Sequence, residues 1–382
     1  MESNKAQTAP YLGLTCLKGK NIYVVAPGGC TAKGGMARMV KYMVESWPAD
    51  AGNLKVLDSY GPGTRYSMPP YFMLLLIRLL VAALFAQIDV LHIHMAERLS
   101  VTRKGIVIHI ASFFRIPIVL HMHGGQFEDY CRALSPRRLS ALKRTMAKVH
   151  TLVMLGECGK SFVQNYLDVE PSRVRIVPNA VPAQTCERKN FFRSAETTCS
   201  IVFLGRVCDR KGVSFLISAL SSPSLAGLDW HCEIVGDGNL ERYESKAGEL
   251  GIRERITFHG WQDQENSRRI LASADFLVLP SCHEVLPMAI LEAMSLGLPT
   301  IATPVGEVRD VVRDGVTGLI VPVGDTQALS EALGDLIRNP GKRVELGQEA
   351  YRLYLSSFDI AIFNKRMSAV FLDAMQTAVK NT

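Results

Sequence analysis

The chain has 382 residues, enough for two domains of ordinary size. Hydrophobic residues make up 48% and charged residues 21%, which supports large buried cores and excludes a disordered, collagen-like or small disulfide-stapled protein. The 43 Lys and Arg against 36 Asp and Glu give a net charge of +7, which favours anionic ligands or an anionic membrane surface but is too small to indicate nucleic acid. The nine cysteines form no CxxC pair, so we expect a reduced, cytoplasmic protein.

Short β-branched runs alternate with helical patterns along the chain. Residues 1–20 are polar and predict an N-terminal extension without a secretory signal. The longest apolar stretch, 71–86 (YFMLLLIRLLVAALFA), contains Arg78 and is shorter than the ~20 residues that span a bilayer, so it predicts a buried or interfacial helix. The predicted strands are 21–26, 54–57, 90–94, 118–121, 151–155 and 173–177, then 200–204, 231–235, 255–258, 276–279, 300–302 and 318–321.

This alternation predicts an α/β fold with two doubly wound parallel sheets, each covered on both faces. We expect a Rossmann-like domain at 21–181, an irregular linker at 182–199 and a second Rossmann-like domain at 200–357. We also expect the helix at about 358–382 to pack back on the first domain, and the two domains to face each other across a cleft. In such sheets ligands bind beyond the carboxyl ends of the strands, so the loops that follow strands are the candidate sites.

The first such loop is glycine-rich, at 28–35, between a strand and a helix. Gly34 and Gly35 would let the backbone approach a phosphate at a helix start. The loop fits neither GxGxxG nor the Walker A pattern, and a simple tight turn is the alternative.

The second loop follows strand 200–204 and carries Arg206 and Lys211. Both cations leave one strand end on one short loop, where the guanidinium fork and the ammonium could bind one diphosphate. Such a pair suits a diphosphate whose negative charge grows as a bond breaks. A solvated basic loop is the alternative.

The third feature is a pair of glutamates, Glu284 and Glu292, after strand 276–279. Glu292 lies in a predicted apolar helix, about two turns from Glu284, so the two carboxylates could bind hydroxyls at separate points of one elongated ligand. The free N–H groups at the helix start, around 286–288, would face a phosphate. A helix cap and a surface charge are the alternatives.

His123 follows strand 118–121 and precedes two glycines, so its imidazole could face a ligand. Together with His92, His94 and His121 it suggests a metal set. We expect no metal, because side chains alternate between the faces of a strand and no Asp or Glu completes the set. A structural strand histidine is the alternative for His123.

These motifs, in this order, resemble the retaining glycosyltransferases of the GT-B fold, family 4. The resemblance rests on E-x7-E within 273–322, on GR-x4-KG at 205–212, on the GDG at 236–238 and on the HGG at 123–125, and it covers the chain from about residue 21. The chain has Glu-Val-Leu-Pro at 284–287 where the family commonly has Glu-Gly-Phe-Gly, and this difference concerns the sugar pocket rather than the reaction class.

The resemblance implies that Arg206 and Lys211 bind the donor diphosphate, that Glu284 binds sugar hydroxyls and Glu292 the ribose. It places His123 near the reacting face of the sugar, as catalytic help on the acceptor side. The remaining implied donor contacts are Gly34, Gly35, Gly236, Leu286, Pro287 and Met288. No cofactor or metal is implied, and no DxD motif occurs near a strand end.

The expected function is therefore transfer of a sugar, with retention, from a nucleotide-diphosphate sugar to a saccharide, in exopolysaccharide, capsule or lipopolysaccharide assembly. The alternatives are a non-catalytic sugar-nucleotide-binding or membrane-scaffold protein, and a sugar-nucleotide epimerase of the same fold. A helix capped by Ser135 and Pro136 should carry Arg137, Arg138, Arg144 and Lys148 largely on one face. With the apolar stretch 71–86, this face suggests docking of the first domain to an anionic inner membrane surface and a lipid-linked acceptor, whereas an ordinary solvated helix face is the alternative.

Overall fold

The computed structural model describes residues 17–29, 34–49, 51–61, 68–183 and 198–380. The chain forms two compact units, Met1–Pro182 together with Ile360–Thr382, and Ala183–Asp359, called here the first and the second unit. Residues 1–16 of the predicted extension and 184–197 of the predicted linker lie outside the described residues. Within the described ranges, none of the helices has the length and apolar character needed to cross a membrane.

The first unit is built on a six-stranded parallel sheet with the order β2-β1-β3-β4-β5-β6. Its strands are β1 (Asn21–Ala26), β2 (Asn53–Asp58), β3 (Val90–Met95), β4 (Ile118–Met122), β5 (Thr151–Met154) and β6 (Val174–Ile176). Its helices are α1 (Gly35–Glu45), α2 (Met68–Leu84), α3 (Leu99–Phe113), α4 (Phe127–Arg132), α5 (Pro136–Met146), α6 (Glu157–Leu167) and the C-terminal α14 (Ile360–Lys380).

The central strands β3 and β4 are buried along their whole length, since helices cover both faces of the sheet. On one face Leu91 and Ile93 join a core with Val107 and Ile108 of α3. On the other face α14 packs against β3, β4 and β5. The C-terminal helix therefore belongs to the first unit and covers its sheet.

The second unit repeats this arrangement with the strand order β12-β11-β10-β7-β8-β9, again all parallel. Its strands are β7 (Cys199–Leu204), β8 (Trp230–Val235), β9 (Ile256–Gly260), β10 (Phe276–Leu279), β11 (Thr300–Ala302) and β12 (Gly318–Ile320). Its helices are α7 (Val213–Leu220), α8 (Leu240–Glu249), α9 (Gln264–Ser273), α10 (Met288–Ser295), α11 (Val308–Val311), α12 (Thr326–Arg338) and α13 (Pro340–Ser357). The predicted fold class, two doubly wound α/β sheets, is confirmed.

Local sequence signals fix several helix starts. The Asp263 and Asp325 carboxylates accept hydrogen bonds from the backbone N–H of Asn266 and Ala328, so they cap α9 and α12. The predicted start of α5 is correct at Pro136, but the Ser135 side chain makes no capping hydrogen bond. The prediction of a side-chain cap there was therefore wrong, and the proline alone marks the first turn.

Candidate functional site

The strand order of the second sheet reverses beside β7. From β7 the chain builds β8 and β9 on one side and then returns to build β10, β11 and β12 on the other. Ligands of open α/β sheets bind at such reversals, beyond the carboxyl ends of the strands. Because β7 and β10 are hydrogen-bonded neighbours, the loops that follow them leave the same edge side by side. These loops carry Lys211 and Glu284.

Lys211 and Glu284 form an ion pair through Nζ and Oε1, although 73 residues separate them along the chain. Their side chains are only 15% and 10% exposed, so water screens the pair little. The Ser281 hydroxyl donates a second hydrogen bond to the same carboxylate oxygen at 2.9 Å. Sequence reasoning missed Ser281, since its role depends on the loop fold and no motif marks it.

Arg206 lies at the end of β7 and is exposed. Among the described residues we find no ion pair for its guanidinium, in contrast to Lys211 and Glu284. Its loop is held in place because the Val207 N–H donates to the Asp237 carbonyl oxygen at 2.7 Å. The structure therefore joins Lys211 to Glu284 and leaves Arg206 exposed on the loop that carries Lys211.

Close approach between backbones explains the glycines of these loops. A Cβ atom at Gly236, where φ is +150°, would overlap the carbonyl oxygen of Gly205. A Cβ atom at Gly212, where φ is +76°, would overlap the carbonyl oxygen of Pro280. Larger residues would push the loops after β7, β8 and β10 apart, so these two glycines allow the backbones of the loops to lie in contact.

The start of α10 follows the same edge. Pro287 is the residue before the first helical turn, and the helix begins at Met288. Leu286 and Met288 are buried, so their side chains are not exposed to a ligand in this structure. Glu292, further along α10, is also buried. The structure thus places at this edge the start of a helix, which can bind an anion, and it places one carboxylate, that of Glu292, on the helix itself.

In the first unit, the glycine-rich loop after β1 is only partly described, because residues 30–33 lie outside the described ranges. The helix α1 begins at Gly35, and Gly34 precedes it with a φ of +114°. Among the described residues, nothing lies within 4 Å of a Cβ built at Gly34. The Gly28 N–H donates to the Asp58 carboxylate at 2.7 Å, which anchors the loop to the end of β2.

Four histidines line one face of the first sheet. On β3, His92 and His94 are two residues apart, and so are His121 and His123 at the end of β4. His94 lies opposite His121 in the register of the two strands. The expectation that alternation would separate them was therefore wrong, because a spacing of two keeps side chains on one face. Burial lowers the pKa of His123 to about 3 and those of the other three well below 6.5, so all four rings are neutral at neutral pH.

Three of these rings, His92, His94 and His121, each offer a nitrogen within 4.8 Å of the others and could hold a metal ion. The set contains no carboxylate, and its three rings are only 0–1% exposed in the interior of the sheet. A divalent ion would therefore be buried without an anionic ligand to offset the loss of its hydration, which opposes binding. The expectation of no metal remains a prediction, now on this electrostatic ground.

Glu97 is a further polar residue beside His123 that sequence reasoning missed. A Cβ atom at Gly124 would overlap the Glu97 carboxylate, which shows that this carboxylate lies against the backbone next to His123. The backbone N–H of His123 donates a hydrogen bond to the Met95 carbonyl oxygen at 2.8 Å, which connects the end of β4 to the end of β3. A carboxylate and an imidazole thus lie at adjacent strand ends of the first unit.

Comparison with known proteins relates this geometry to a family. The model of the glycosyl transferases group 1 matches residues 187–353, and that of glycosyltransferase family 4 matches residues 33–185. The chain is 23% identical over 271 residues to an alpha-D-kanosaminyltransferase of Streptomyces kanamyceticus, covering 67% of this chain and 70% of that protein. It is 38% identical over 160 residues to a phosphatidyl-myo-inositol mannosyltransferase of Mycobacterium leprae, covering 41% of this chain and 42% of that protein.

A solved structure gives the same result for the fold. HepE of Anabaena, in complex with UDP-glucose, superposes with a TM-score of 0.70 at 16% identity, covering 92% of this chain and 99% of that one. The two family models together account for most of the chain, in the order that the motifs predict. The protein therefore belongs to glycosyltransferase family 4, with the GT-B fold.

Proposed function

We propose that the protein transfers a hexose, with retention and without a metal ion, from a nucleotide-diphosphate sugar to a saccharide acceptor. The observation that carries this proposal is the ion pair of Lys211 and Glu284 at the strand reversal of the second sheet. An ammonium and a carboxylate held together there suit the two ends of such a donor, its diphosphate and its sugar hydroxyls. The UDP-glucose bound by HepE of Anabaena supports a nucleotide-sugar donor.

In this mechanism the described residues bind, orient and stabilise charge. The Lys211 ammonium lies next to the departing diphosphate, the exposed Arg206 guanidinium binds its oxygens, and the first N–H groups of α10 face the same charge. Glu284, oriented by Ser281, accepts hydrogen bonds from sugar hydroxyls. Donors fixed in advance stabilise the charge that develops in the transition state more than the charge of the substrate.

The test is transfer from a panel of nucleotide sugars by the full chain and by Lys211→Met. We expect turnover to fall roughly 10²–10³-fold in the variant, since it lacks one preorganised cation. Lys342→Met is the matched control: it also removes a lysine from an ion pair of the second unit, that with Asp335, but this pair joins α12 to α13 instead of the loops after β7 and β10. Near-normal turnover of Lys211→Met would refute the assignment of Lys211. If the parent chain binds the donor but neither transfers its sugar nor slowly hydrolyses it, the protein is a non-catalytic binding protein.

The acceptor is proposed to be lipid-linked, in the assembly of a cell-surface polysaccharide on the inner face of the membrane. The relative from Mycobacterium leprae is named for a lipid acceptor, a phosphatidyl-myo-inositol. In this chain α2 buries only Leu75, Leu79 and Ala82, whereas Ile77 and Leu84 are 53% and 68% exposed. An exposed apolar helix of this kind suits the boundary between lipid head groups and acyl chains.

Basic residues on α5 supply the charge for such a surface. Arg137, Arg138, Arg144 and Lys148 are exposed, while Leu142 and Met146 of the same segment face the core. We therefore expect the protein to sediment with vesicles that contain anionic lipid, and to do so less at high salt. Ile77→Asp combined with Leu84→Asp should abolish this binding, and Leu355→Asp, at an exposed apolar position of the second unit, should not. Membrane docking through α2 would be refuted if the parent chain, the double variant and Leu355→Asp bound the vesicles equally, or if none of them bound.

A further inference from the structure

His94 and His123 are joined side chain to side chain. Their nearest ring nitrogens, Nδ1 of His94 and Nε2 of His123, lie 2.8 Å apart, the distance of a hydrogen bond. His94 is 1% exposed, in the interior of the sheet, whereas His123 is half-buried at the strand end. Since Nε2 of His123 is occupied by His94, Nδ1 is the nitrogen that His123 can offer to a ligand.

Two neutral imidazoles can share this hydrogen bond in two ways. Either His94 carries its proton on Nδ1 and donates to His123, or His123 carries its proton on Nε2 and donates to His94. In the second arrangement the proton of His94 would sit on its Nε2. That nitrogen is buried, and among the described residues nothing is placed to accept from it.

The energetic difference between the two arrangements decides the direction. A buried N–H without an acceptor costs about 1–3 kcal/mol, and orphaned donors are rarer in native structures than acceptors with an unused lone pair. The arrangement in which His94 donates leaves only a lone pair at its Nε2. His94 therefore donates from Nδ1, and His123 accepts at Nε2.

We propose that His94 is a positioning residue that holds His123 in the tautomer protonated at Nδ1, so that His123 acts as a hydrogen-bond donor and not as a proton acceptor. His123 then offers one N–H at the carboxyl end of β4, which suits a hydroxyl or phosphate oxygen of a sugar nucleotide. This inference rests on the proposed function for its ligand, and it narrows the role of His123 from general catalytic help to donation of a hydrogen bond. A neutral ring protonated at Nδ1 and engaged at Nε2 has no lone pair with which to take a proton from an acceptor hydroxyl.

The direct test is nuclear magnetic resonance of the full chain labelled with 15N-histidine, without any substrate. The nitrogen shifts distinguish protonated from bare ring nitrogens, and His123→Gln identifies the resonances of His123. We expect Nδ1 of His123 to be protonated and Nε2 to be bare, with the proton of His94 on Nδ1. The opposite pattern would overturn the proposal. Because no substrate is present, this result does not depend on which reaction the protein performs.

A kinetic comparison tests the consequence. In His94→Asn the side-chain amide lies near the Nδ1 position of histidine and can still donate to His123, so this variant should retain turnover. In His94→Leu no donor remains, so turnover should fall roughly tenfold. His92→Leu is the matched control: the residue is equally buried in the same cluster, but its hydrogen-bonding contact is with His121 at 3.4 Å. Equal losses in His94→Leu and His92→Leu would indicate a purely structural role and overturn the proposal. Absence of transfer in the parent chain, with the expected nitrogen pattern intact, would refute the proposed function instead.

Discussion

The three fully buried histidines of the first unit, His92, His94 and His121, should make that unit sensitive to mild acid. Burial lowers the pKa of His92 from 6.5 to about 3, and burial followed by the neighbouring rings lowers those of His94 and His121 well below 6.5. In the unfolded chain each ring takes up a proton near pH 6.5, but the folded unit does not. The stability that depends on neutral rings is therefore present above pH 6.5 and is lost as the pH falls towards the folded pKa values.

The magnitude follows from proton linkage. Between pH 7 and pH 5, each histidine that stays neutral in the folded state and titrates at 6.5 in the unfolded state lowers the free energy of unfolding by about 2 kcal/mol. The three together give about 6 kcal/mol, and His123, whose pKa burial also lowers to about 3, adds to this loss, so the total is comparable to the whole stability of an ordinary domain. This window lies above the usual titration of carboxylates, so the effect is separable from general acid unfolding.

The assay is urea unfolding at several pH values between 7 and 5. Trp47 reports on the first unit, because its ring lies 6.0 Å from that of Phe371 on α14, which in turn contacts His92. Trp230 and Trp261 belong to the second unit and are replaced by Phe for this measurement. A change in the free energy of unfolding below about 1 kcal/mol over this range would show that the folded unit accepts the protons, and the reasoning would be wrong.

Two controls isolate the histidine contribution. His92→Leu removes one titrating ring at similar volume, so the loss of stability between pH 7 and pH 5 should shrink by about 2 kcal/mol. Lys104 is also buried, and burial lowers its pKa well below 10.5, but the residue is the same in the parent chain and in His92→Leu, so it does not affect this comparison. In Trp47→Phe, the remaining tryptophans should show a much flatter pH response for the second unit, whose histidines are not buried.

Further predictions concern the backbone and the surface. Gly236→Ala should lower the free energy of unfolding of the second unit by about 2–3 kcal/mol, since its Cβ overlaps the Gly205 carbonyl. Gly315→Ala should cost only about 1 kcal/mol, because φ is +69° there but no atom of the described residues lies within 4 Å of the added Cβ. Chemical denaturation measures both, and equal costs would contradict the steric argument. Asp373→Asn should cost less than about 1 kcal/mol, because its 2.7 Å ion pair with Arg175 is 40% exposed on both sides. A larger cost in the same assay would show that this pair, which joins α14 to β6, is more strongly coupled than its exposure indicates.

The fold could be predicted from sequence where strands are buried on both faces. The predicted strand at 276–279 is β10 without any change, since a continuous apolar run between Asp275 and Pro280 has clearly marked ends. The strand predicted at 255–258 is β9 at Ile256–Gly260, shifted because an edge strand is buried along only part of its length. The helix over 71–86 was predicted, but the proportion of α2 that stays exposed was not, because exposure depends on packing that composition does not record.

The candidate site was predictable only one residue at a time. Lys211 and Glu284 were each predicted on the strand-end argument, but their mutual ion pair requires knowing that β7 and β10 are neighbours. Ser281 and Glu97 were missed, since a serine in a loop and a glutamate after a strand carry no signal until the loops are folded. Strand order is a long-range property, and a single sequence without variation among relatives does not specify it.

The histidine cluster shows why stability and chemistry have to be separated in this unit. Replacing either His92 or His94 by Leu should relieve about 2 kcal/mol of acid sensitivity at pH 5, because both rings are buried and neutral. The two substitutions should differ in turnover, because the hydrogen bond to His123 comes from His94. We therefore expect His92→Leu to be more acid-resistant and fully active, and His94→Leu to be equally acid-resistant but about tenfold slower. If both variants keep full turnover, the tautomer of His123 is set by its ligand rather than by the sheet, and the buried imidazole of His94 has no catalytic consequence.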